Sequence, residues 1–317
     1  MLVFDSLEAI PEPAFSRGTA VVIGKFDGVH RGHRALIEGV AEIAEARGLE
    51  PLVFTFANNP LSLLRPELCP QPLMSPQQRL EALEGLGVRN CVMVPFDEAF
   101  AAISAEEFVE RTLVERLRAR HISVGADFRF GRHGMGDPEL LASMGRRLGF
   151  SVQIIGTIED PMLGRISSTR IREAILQGDV AWAARMLGRP VALRGEVVHG
   201  DARGRELGFP TANLGAAEGG EIEGIRPADG VYAGWATVDG ERHRAAISVG
   251  ANVTFEPEGE PRVEAYLLDF DGDIYGHRME LQFVERLRGM VAFSSVDALL
   301  VRMREDVRET ALILAGH

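Results

Sequence analysis

At 317 residues, with 46% hydrophobic and 25% charged side chains, the chain has the make-up of a soluble globular protein and suits two domains of common size. A formal net charge of −12 argues against polymeric nucleic acid, which needs a broad cationic face, but leaves room for small phosphate ligands held by a local cluster of donors. No stretch approaches the roughly 18 apolar residues that span a bilayer, and Asp5, Glu8 and Glu12 break up any secretory signal. The two cysteines, Cys69 and Cys91, suit a reducing cytoplasm better than a disulfide framework.

The first half alternates apolar strands with capped amphipathic helices. Ala20 to Ile23 reads as a buried strand; after a Gly-rich turn, Leu36, Ile37, Val40, Ile43 and Ala44 recur at helical spacing until Gly48 closes the helix. Pro51 to Phe56 is a second strand. Ser75-Pro76-Gln77-Gln78 then supplies an N-cap Ser, an N1 Pro and a Gln at N3. Cys91 to Val94 is a third strand, and Ser104 with Glu107 forms a capping box opening a helix to about Arg118. Ile122 to Val124, a helix starting at Asp137-Pro138, and Phe150 to Ile155 complete the pattern. Such alternation predicts an α/β fold with a doubly wound, Rossmann-like parallel sheet and ligands at the carboxyl ends of its strands.

Two short helices follow, about Thr169 to Gln177 and Val180 to Leu187, and Gly188-Arg189-Pro190 stops the helical pattern. The domain boundary is placed there, giving domains 1–186 and 187–317. Beyond it the period becomes two: Val191 to Val198, Val231 to Val238, Arg242 to Val249, Val263 to Phe270 and Arg278 to Val284 read as strands, with Asp239-Gly240 and Asp271-Gly272 as hairpin turns. A helix from about Ser295 to Leu314 ends the chain. The expectation is a small closed all-β barrel with a C-terminal helix.

Three stretches carry chemistry. Between the first strand and first helix lies Gly24-Lys25-Phe26-Asp27-Gly28-Val29-His30-Arg31-Gly32-His33. Gly28 and Gly32 let backbone N–H groups approach a ligand, the helix N-terminus favours anions, and His30 and His33 can set two imidazole donors on phosphate oxygens. The alternatives are a surface loop with incidental histidines, or a zinc pair with no third ligand nearby in sequence. In Ser167-Ser168-Thr169-Arg170-Ile171-Arg172, Ser168 or Thr169 caps the next helix and Arg172 projects one turn in. That is an ordinary capped helix by itself and a second phosphate clamp beside the histidine loop. Finally, Gly195 to Asn213 offers a Gly- and Arg-bearing loop before Thr211 and Asn213. Two residues apart on an extended segment, these share a face, so their side-chain oxygens can meet one hard cation. A solvated turn is the plainer reading of that loop, as an outward-facing strand position is of Glu264. Gly131, Gly134 and Gly136 read as a flexible loop, and Asp269, Asp271 and Asp273 as an acidic hairpin turn rather than a calcium loop.

The histidine loop and the Ser-Ser-Thr-x-x-Arg segment resemble the two signatures of the HxGH nucleotidylyltransferase superfamily. Together with Gly125-Ala126-Asp127-Phe128-Arg129-Phe130-Gly131 they resemble, more narrowly, the FMN adenylyltransferase module of bacterial bifunctional FAD synthetases. The run from Gly195 to Asn213, with its Pro-Thr-Ala-Asn core, and Val263 to Gly276 resemble riboflavin kinase. The resemblance runs from about residue 18 to residue 314. It implies an N-terminal nucleotidylyltransferase domain and a C-terminal kinase domain, with riboflavin phosphorylated to FMN and FMN adenylylated to FAD. It implies that His30, His33, Ser168, Thr169 and Arg172 hold ATP, with His30, His33 and Arg172 catalytic. Gly24, Asp27 and Gly28 would bind nucleotide, and Asp127 would help form the nucleotide or flavin pocket. It implies Glu264 as general base, Gly200 and Arg205 as nucleotide-binding loop positions, and Thr211 and Asn213 as ligands of Mg²⁺. The partners so implied are ATP, riboflavin and FMN, without nucleic acid or membrane, and a homo-oligomer is compatible with the sequence.

Two places depart from the family pattern. Ala57-Asn58-Asn59-Pro60 stands where relatives carry a Pro-His-Pro-like run, removing one polar contact near the adenylylation pocket, and Asn252-Val253-Thr254-Phe255 has Val for a usual Pro. A kinase with an impaired adenylyltransferase half and a non-catalytic flavin-binding regulator are the competing readings.

Overall fold

The computed structural model describes every residue except 13, 157, 201–203, 205–207, 217–221, 252–259 and 317. The chain divides into two compact units, Met1–Ile166 and Ser167–His317.

In the first unit the elements run β1 (Leu2–Phe4), β2 (Thr19–Ile23), α1 (Arg31–Arg47), β3 (Glu50–Phe56), α2 (Pro60–Leu64), α3 (Pro76–Gly85), β4 (Asn90–Val94), α4 (Glu98–Ala102) and α5 (Ala105–Glu107). A π-helical stretch, Phe108–Arg116, continues α5 and is followed by β5 (Ala119–Gly125), α6 (Pro138–Leu148), β6 (Ser151–Ile155), β7 (Glu159–Asp160) and β8 (Gly164–Arg165). Six strands lie in the order β1-β4-β3-β2-β5-β6, and every neighbouring pair is parallel. Alternation along each strand sends Val21, Ile23, Leu52, Phe54, Val92 and Val94 to one face, under Phe108, Leu113, Leu141 and Met144. Ala20, Val22, Val53, Cys91 and Met93 face the other way, against Ile37, Val40 and Ala44 of α1 and Leu83 of α3. Both faces of β2 are covered, and all five of its residues are buried. With β3 on one side of β2 and β5 on the other, winding reverses between β2 and β5, the switch point outside whose carboxyl ends sheets of this kind bind ligands.

Three expectations change here. The edge strand β1, paired with β4 through Leu2 and Asn90, adds to the five strands expected. The helix opened by Ser104 is α-helical for only its first turn, and its π register then places Phe108, Val109, Thr112 and Leu113 in the core. The Gly131–Gly136 segment is pinned rather than flexible: Phe130 and Gly136 exchange backbone hydrogen bonds of 3.1 and 2.8 Å. A Cβ on Gly131 would lie 2.5 Å from the Ala105 backbone, so the chain closes there only on glycine.

The second unit contains α7 (Ser168–Leu176), α8 (Val180–Leu187), β9 (Val191–Val198), β10 (Ala212–Gly215), β11 (Gly230–Val238), β12 (Glu241–Gly250), β13 (Arg262–Leu267), β14 (Arg278–Arg288) and α9 (Val296–Leu314). Among the described residues, six strands close a barrel in the order β10-β13-β12-β11-β14-β9, with antiparallel neighbours throughout. Asp239 (φ 51°) and Gly240 (φ 83°) form the two-residue left-handed turn of the β11–β12 hairpin, as their sequence demands. Asp271-Gly272, by contrast, is no hairpin turn. It lies in the connection from β13 to β14, strands that are not neighbours, and so the acidic run 269–273 is a crossover loop whose Asp269 carboxylate accepts from Arg244 at 2.7 Å.

Candidate active sites

The loop after β2 ends at the N-terminus of α1, which His30 caps. The His30 Nδ1 accepts the backbone N–H of His33 at 3.2 Å, and the His33 Nδ1 accepts the backbone N–H of His30 at 3.3 Å. A ring nitrogen that accepts an N–H carries no proton, so the proton of each neutral imidazole sits on Nε2. The two rings stack with centroids 3.6 Å apart and planes 10° from parallel, and the edge of Phe26 braces His33 at 5.2 Å. Gly32 makes this stack feasible: a Cβ there would come within 3.1 Å of the His30 ring. The sequence therefore brings His30 and His33 together as a reciprocal cap, a geometry that the spacing alone did not disclose.

The same loop is bent through the left-handed region at Phe26 (φ 49°), Gly28 (φ 88°) and Val29 (φ 39°). For a β-branched residue such as Val29 this backbone is strained and needs its surroundings to hold it. Asp27 Oδ1 accepts the Leu73 N–H at 2.8 Å, and Gly24 N–H donates to Phe54 O at 3.2 Å. Arg79, which the sequence reading passed over, donates to Lys25 O at 2.8 Å, Phe56 O at 2.6 Å and Ala57 O at 2.9 Å. Burial pulls its guanidinium below the usual range, while Asp27 and Cys91 oppose that shift. Burial likewise pushes the Cys91 thiol up to about 12, leaving it a protonated, packed side chain. The signal for Arg79 was present: it stands one turn before the buried Leu83, a cation where the helical period asks for an apolar residue.

Gly125-Ala126-Asp127 leaves the end of β5, on the other side of the winding reversal from the histidine loop. Asp127 is exposed there, with its Oδ1 3.0 Å from where a Cβ on Gly125 would sit. The departing asparagines have structural partners. Asn59 caps α2 through the Leu61 N–H at 3.1 Å, and Asn58 joins the loops after β3 and β4 by exchanging hydrogen bonds of 3.0 and 2.8 Å with Phe96. In the second unit the helix cap is Ser167, whose hydroxyl accepts from Arg170 at 3.4 Å. Ser168 and Thr169 are therefore not caps but the first two helical residues of α7, with Arg172 a turn further on.

The barrel gathers a second set. β10 lies between β9 and β13, which places Asn213 opposite both Val198 and Glu264. Thr211, just before β10, donates from Oγ1 to Glu264 Oε2 at 3.2 Å, and Asn213 of β10 lies opposite Glu264 of β13. The donor set is wholly oxygen: a hydroxyl, an amide carbonyl and a carboxylate, the ligands a hard divalent cation prefers. Gly200 lies against the Asn213 amide, 2.3 Å from its Nδ2 to where a Cβ would be, so any larger residue there would push the Asn213 side chain aside. A cleft of about 480 Å³ opens here, lined by His199, Gly200, Asn213, Arg226 and Arg262 among others. His199 stacks on Tyr275 at 3.8 Å. Arg205 and the Asn252–Phe255 departure lie outside the described residues.

Both halves of the chain match known families. The family model for FAD synthetase matches residues 12–170, and that for riboflavin kinase matches residues 187–314. A bifunctional riboflavin kinase/FMN adenylyltransferase from Pseudomonas fluorescens is 36% identical over 300 residues, 94% of either chain. One from Bacillus subtilis is 33% identical over 92% of this chain and 91% of its own. A solved structure described as a macrolide-efflux protein from Streptococcus pneumoniae superposes with a TM-score of 0.82 at 35% identity, over 98% of each chain. Efflux is said of that protein alone. No helix among the described residues here is long and apolar enough to cross a membrane. Two family models matched in tandem, and bifunctional relatives aligned over nearly their whole length, place this chain in the bifunctional riboflavin kinase/FMN adenylyltransferase family.

Proposed function

We infer that the chain makes FAD in two ATP-dependent reactions, phosphorylating riboflavin to FMN in its barrel unit and adenylylating FMN, with release of pyrophosphate, in its parallel-sheet unit. The observation that supports this reading is two separately built sets of polar side chains: stacked His30 and His33 at the carboxyl end of β2, and Thr211, Asn213 and Glu264 gathered where β10 lies beside β13. A reading with one activity, or none, is not favoured when both family models match.

In the kinase reaction Glu264 takes the proton of the riboflavin 5′-hydroxyl as its oxygen attacks the γ-phosphorus of ATP, and ADP leaves. One Glu264 oxygen accepts from Thr211, which orients the carboxylate and leaves the other to receive the proton. A hydroxyl whose hydrogen points at Glu264 turns its lone pairs away from it, and these together with the Asn213 carbonyl would hold Mg²⁺. The cation supplies charge neutralisation on the transferring phosphoryl group. Gly200 and Arg205 belong to the loop proposed to hold the nucleotide.

In the adenylylation a phosphate oxygen of FMN attacks the α-phosphorus of ATP. Charge grows on the α-phosphate and the departing pyrophosphate, where Nε2–H donors of His30 and His33 stabilise it. Gly24, Asp27 and Gly28 shape the loop for nucleotide, and Asp127 borders the flavin or nucleotide pocket. The net charge of −12 supports small-molecule partners rather than nucleic acid, and the sparse cysteines support the cytoplasm. Incubation with riboflavin, ATP and Mg²⁺, with the flavins separated over time, should show FMN rising first and FAD following. FMN that accumulates with no FAD would remove the adenylylating half of the reading, and unchanged riboflavin would remove the kinase half.

A further inference from the structure

We propose that Arg79 is a positioning residue for adenylylation: its buried guanidinium fixes the shape of the loop that carries His30 and His33. The inference rests on the adenylylating role assigned above to the parallel-sheet unit.

Arg79 sits in the first turn and a half of α3 and is 8% exposed. A cation in such a place carries a heavy desolvation cost, and apolar packing would serve stability as well. What the cation does instead is specific. Its two terminal nitrogens reach carbonyls on two separate strand exits, Lys25 after β2 and Phe56 with Ala57 at the end of β3. Those strands are sheet neighbours, and the planar fork spans the gap between their ends. Thr55 Oγ1 donates to the same Lys25 carbonyl at 3.2 Å, so this one oxygen is gripped from two sides.

Lys25 is the last residue before the bent segment. Phe26, Gly28 and Val29 then take left-handed backbone, and His30 begins the reciprocal cap. A loop with a strained β-branched residue keeps its form only where its surroundings over-determine it. From the α3 side Arg79 holds Lys25, and the segment just before α3 holds Asp27 through the Leu73 N–H. The attraction between the Arg79 guanidinium and the Asp27 carboxylate acts on the same segment. The direction in which the two imidazoles face therefore depends on a side chain that lies on a different helix.

The test uses the full chain, with Arg79→Lys, Arg79→Met and Thr55→Val compared with the parent for FAD formation from supplied FMN and ATP. Riboflavin phosphorylation by the same samples serves as internal control, and thermal transitions are recorded. Lysine keeps the charge but has no fork to span three acceptors, so Arg79→Lys should lower kcat about tenfold and Arg79→Met about a hundredfold. Thr55→Val should lower it by about threefold, with KM for ATP and FMN within about threefold of the parent in every variant and kinase kcat unchanged. A purely structural side chain would lower the transition temperature and leave kcat of the folded enzyme alone. Folded Arg79→Lys with parental kcat therefore overturns the proposal. If Arg79→Met loses its transition, Arg79→Lys decides in the same way: a reduced kcat at retained KM supports the proposal and a parental kcat overturns it. A parent that forms no FAD is a different failure, that of the adenylylating reading itself.

Discussion

His33 completes the reciprocal cap of α1 and is the proposed phosphate donor, so its removal acts on both. Its Nδ1 satisfies the His30 N–H, and its ring stacks on the one whose Nδ1 satisfies the His33 N–H. His33→Ala should lower FAD formation from FMN by about a hundredfold, the cost of one aimed donor, while riboflavin phosphorylation continues at the parental rate. Undiminished FAD synthesis by the variant, measured with supplied FMN, would remove His33 from the chemistry. Glu264→Gln should do the reverse. Glutamine still accepts the Thr211 hydrogen bond but cannot take the riboflavin proton, so phosphorylation should fall by at least about a hundredfold while supplied FMN still becomes FAD. A Gln variant that phosphorylates riboflavin at the parental rate would mean that another group is the base. The candidacy of these residues came from the family resemblance rather than from the residues alone, since the histidine loop also read as a surface loop or a zinc pair and Glu264 as an outward-facing strand position. Gly200 beside Asn213 and Gly32 beside His30 show why the glycines are there, a fact about three-dimensional clearance that spacing does not carry.

At the scale of elements, the readable features were those with local causes. Ser75, Asp137 and Ser295 each cap the helix expected of them, because an N-cap is decided within four residues. Asp239-Gly240 makes its hairpin because both residues tolerate positive φ. Asp271-Gly272 has equally good turn chemistry and failed as a hairpin, since which strands become neighbours is settled by closure of the whole barrel. β1 escaped notice because three residues give no period to read, and it exists through its pairing with β4. Ser167 rather than Ser168 or Thr169 caps α7: three hydroxyl residues in a row offer the same chemistry, and the entry angle of the chain chooses among them. Arg79 was missed for a related reason. Its spacing from Leu83 marks a core-facing position, but only the sheet's geometry reveals that its neighbours there are strand-exit carbonyls.

The division of the whole molecule is where the structure adds most to the sequence. A stop signal at Gly188-Arg189-Pro190 suggested a cut near residue 187, and the two family models leave 171–186 unclaimed between them. In the fold those residues belong with the barrel. α8 buries Val180, Ala183, Met186 and Leu187 and packs on β14 and β9. The turn between α7 and α8 is held by the Ala228 N–H on Ile175 O at 3.2 Å and by Arg286 on Gln177 O at 3.5 Å. Gly178 lets Arg286 and Tyr232 close in, since a Cβ there would lie 2.9 Å from Arg286 Cδ and 3.0 Å from Tyr232 Oη. Burying three large apolar side chains at about 1.5–3 kcal/mol each makes this contact worth on the order of 5 kcal/mol, a large share of the ~5–15 kcal/mol that holds a domain together. A fragment beginning at residue 167 should therefore show a cooperative thermal transition and phosphorylate riboflavin, because Thr211, Asn213 and Glu264 all lie within it. A fragment beginning at residue 187 should melt at a clearly lower temperature, or without cooperativity, and lose kinase activity in proportion to its unfolded fraction. Circular dichroism melts of both fragments, with FMN production assayed on each, make the comparison. Equal transition temperatures would show that α7 and α8 add nothing to the barrel's stability, and would return the boundary to Gly188.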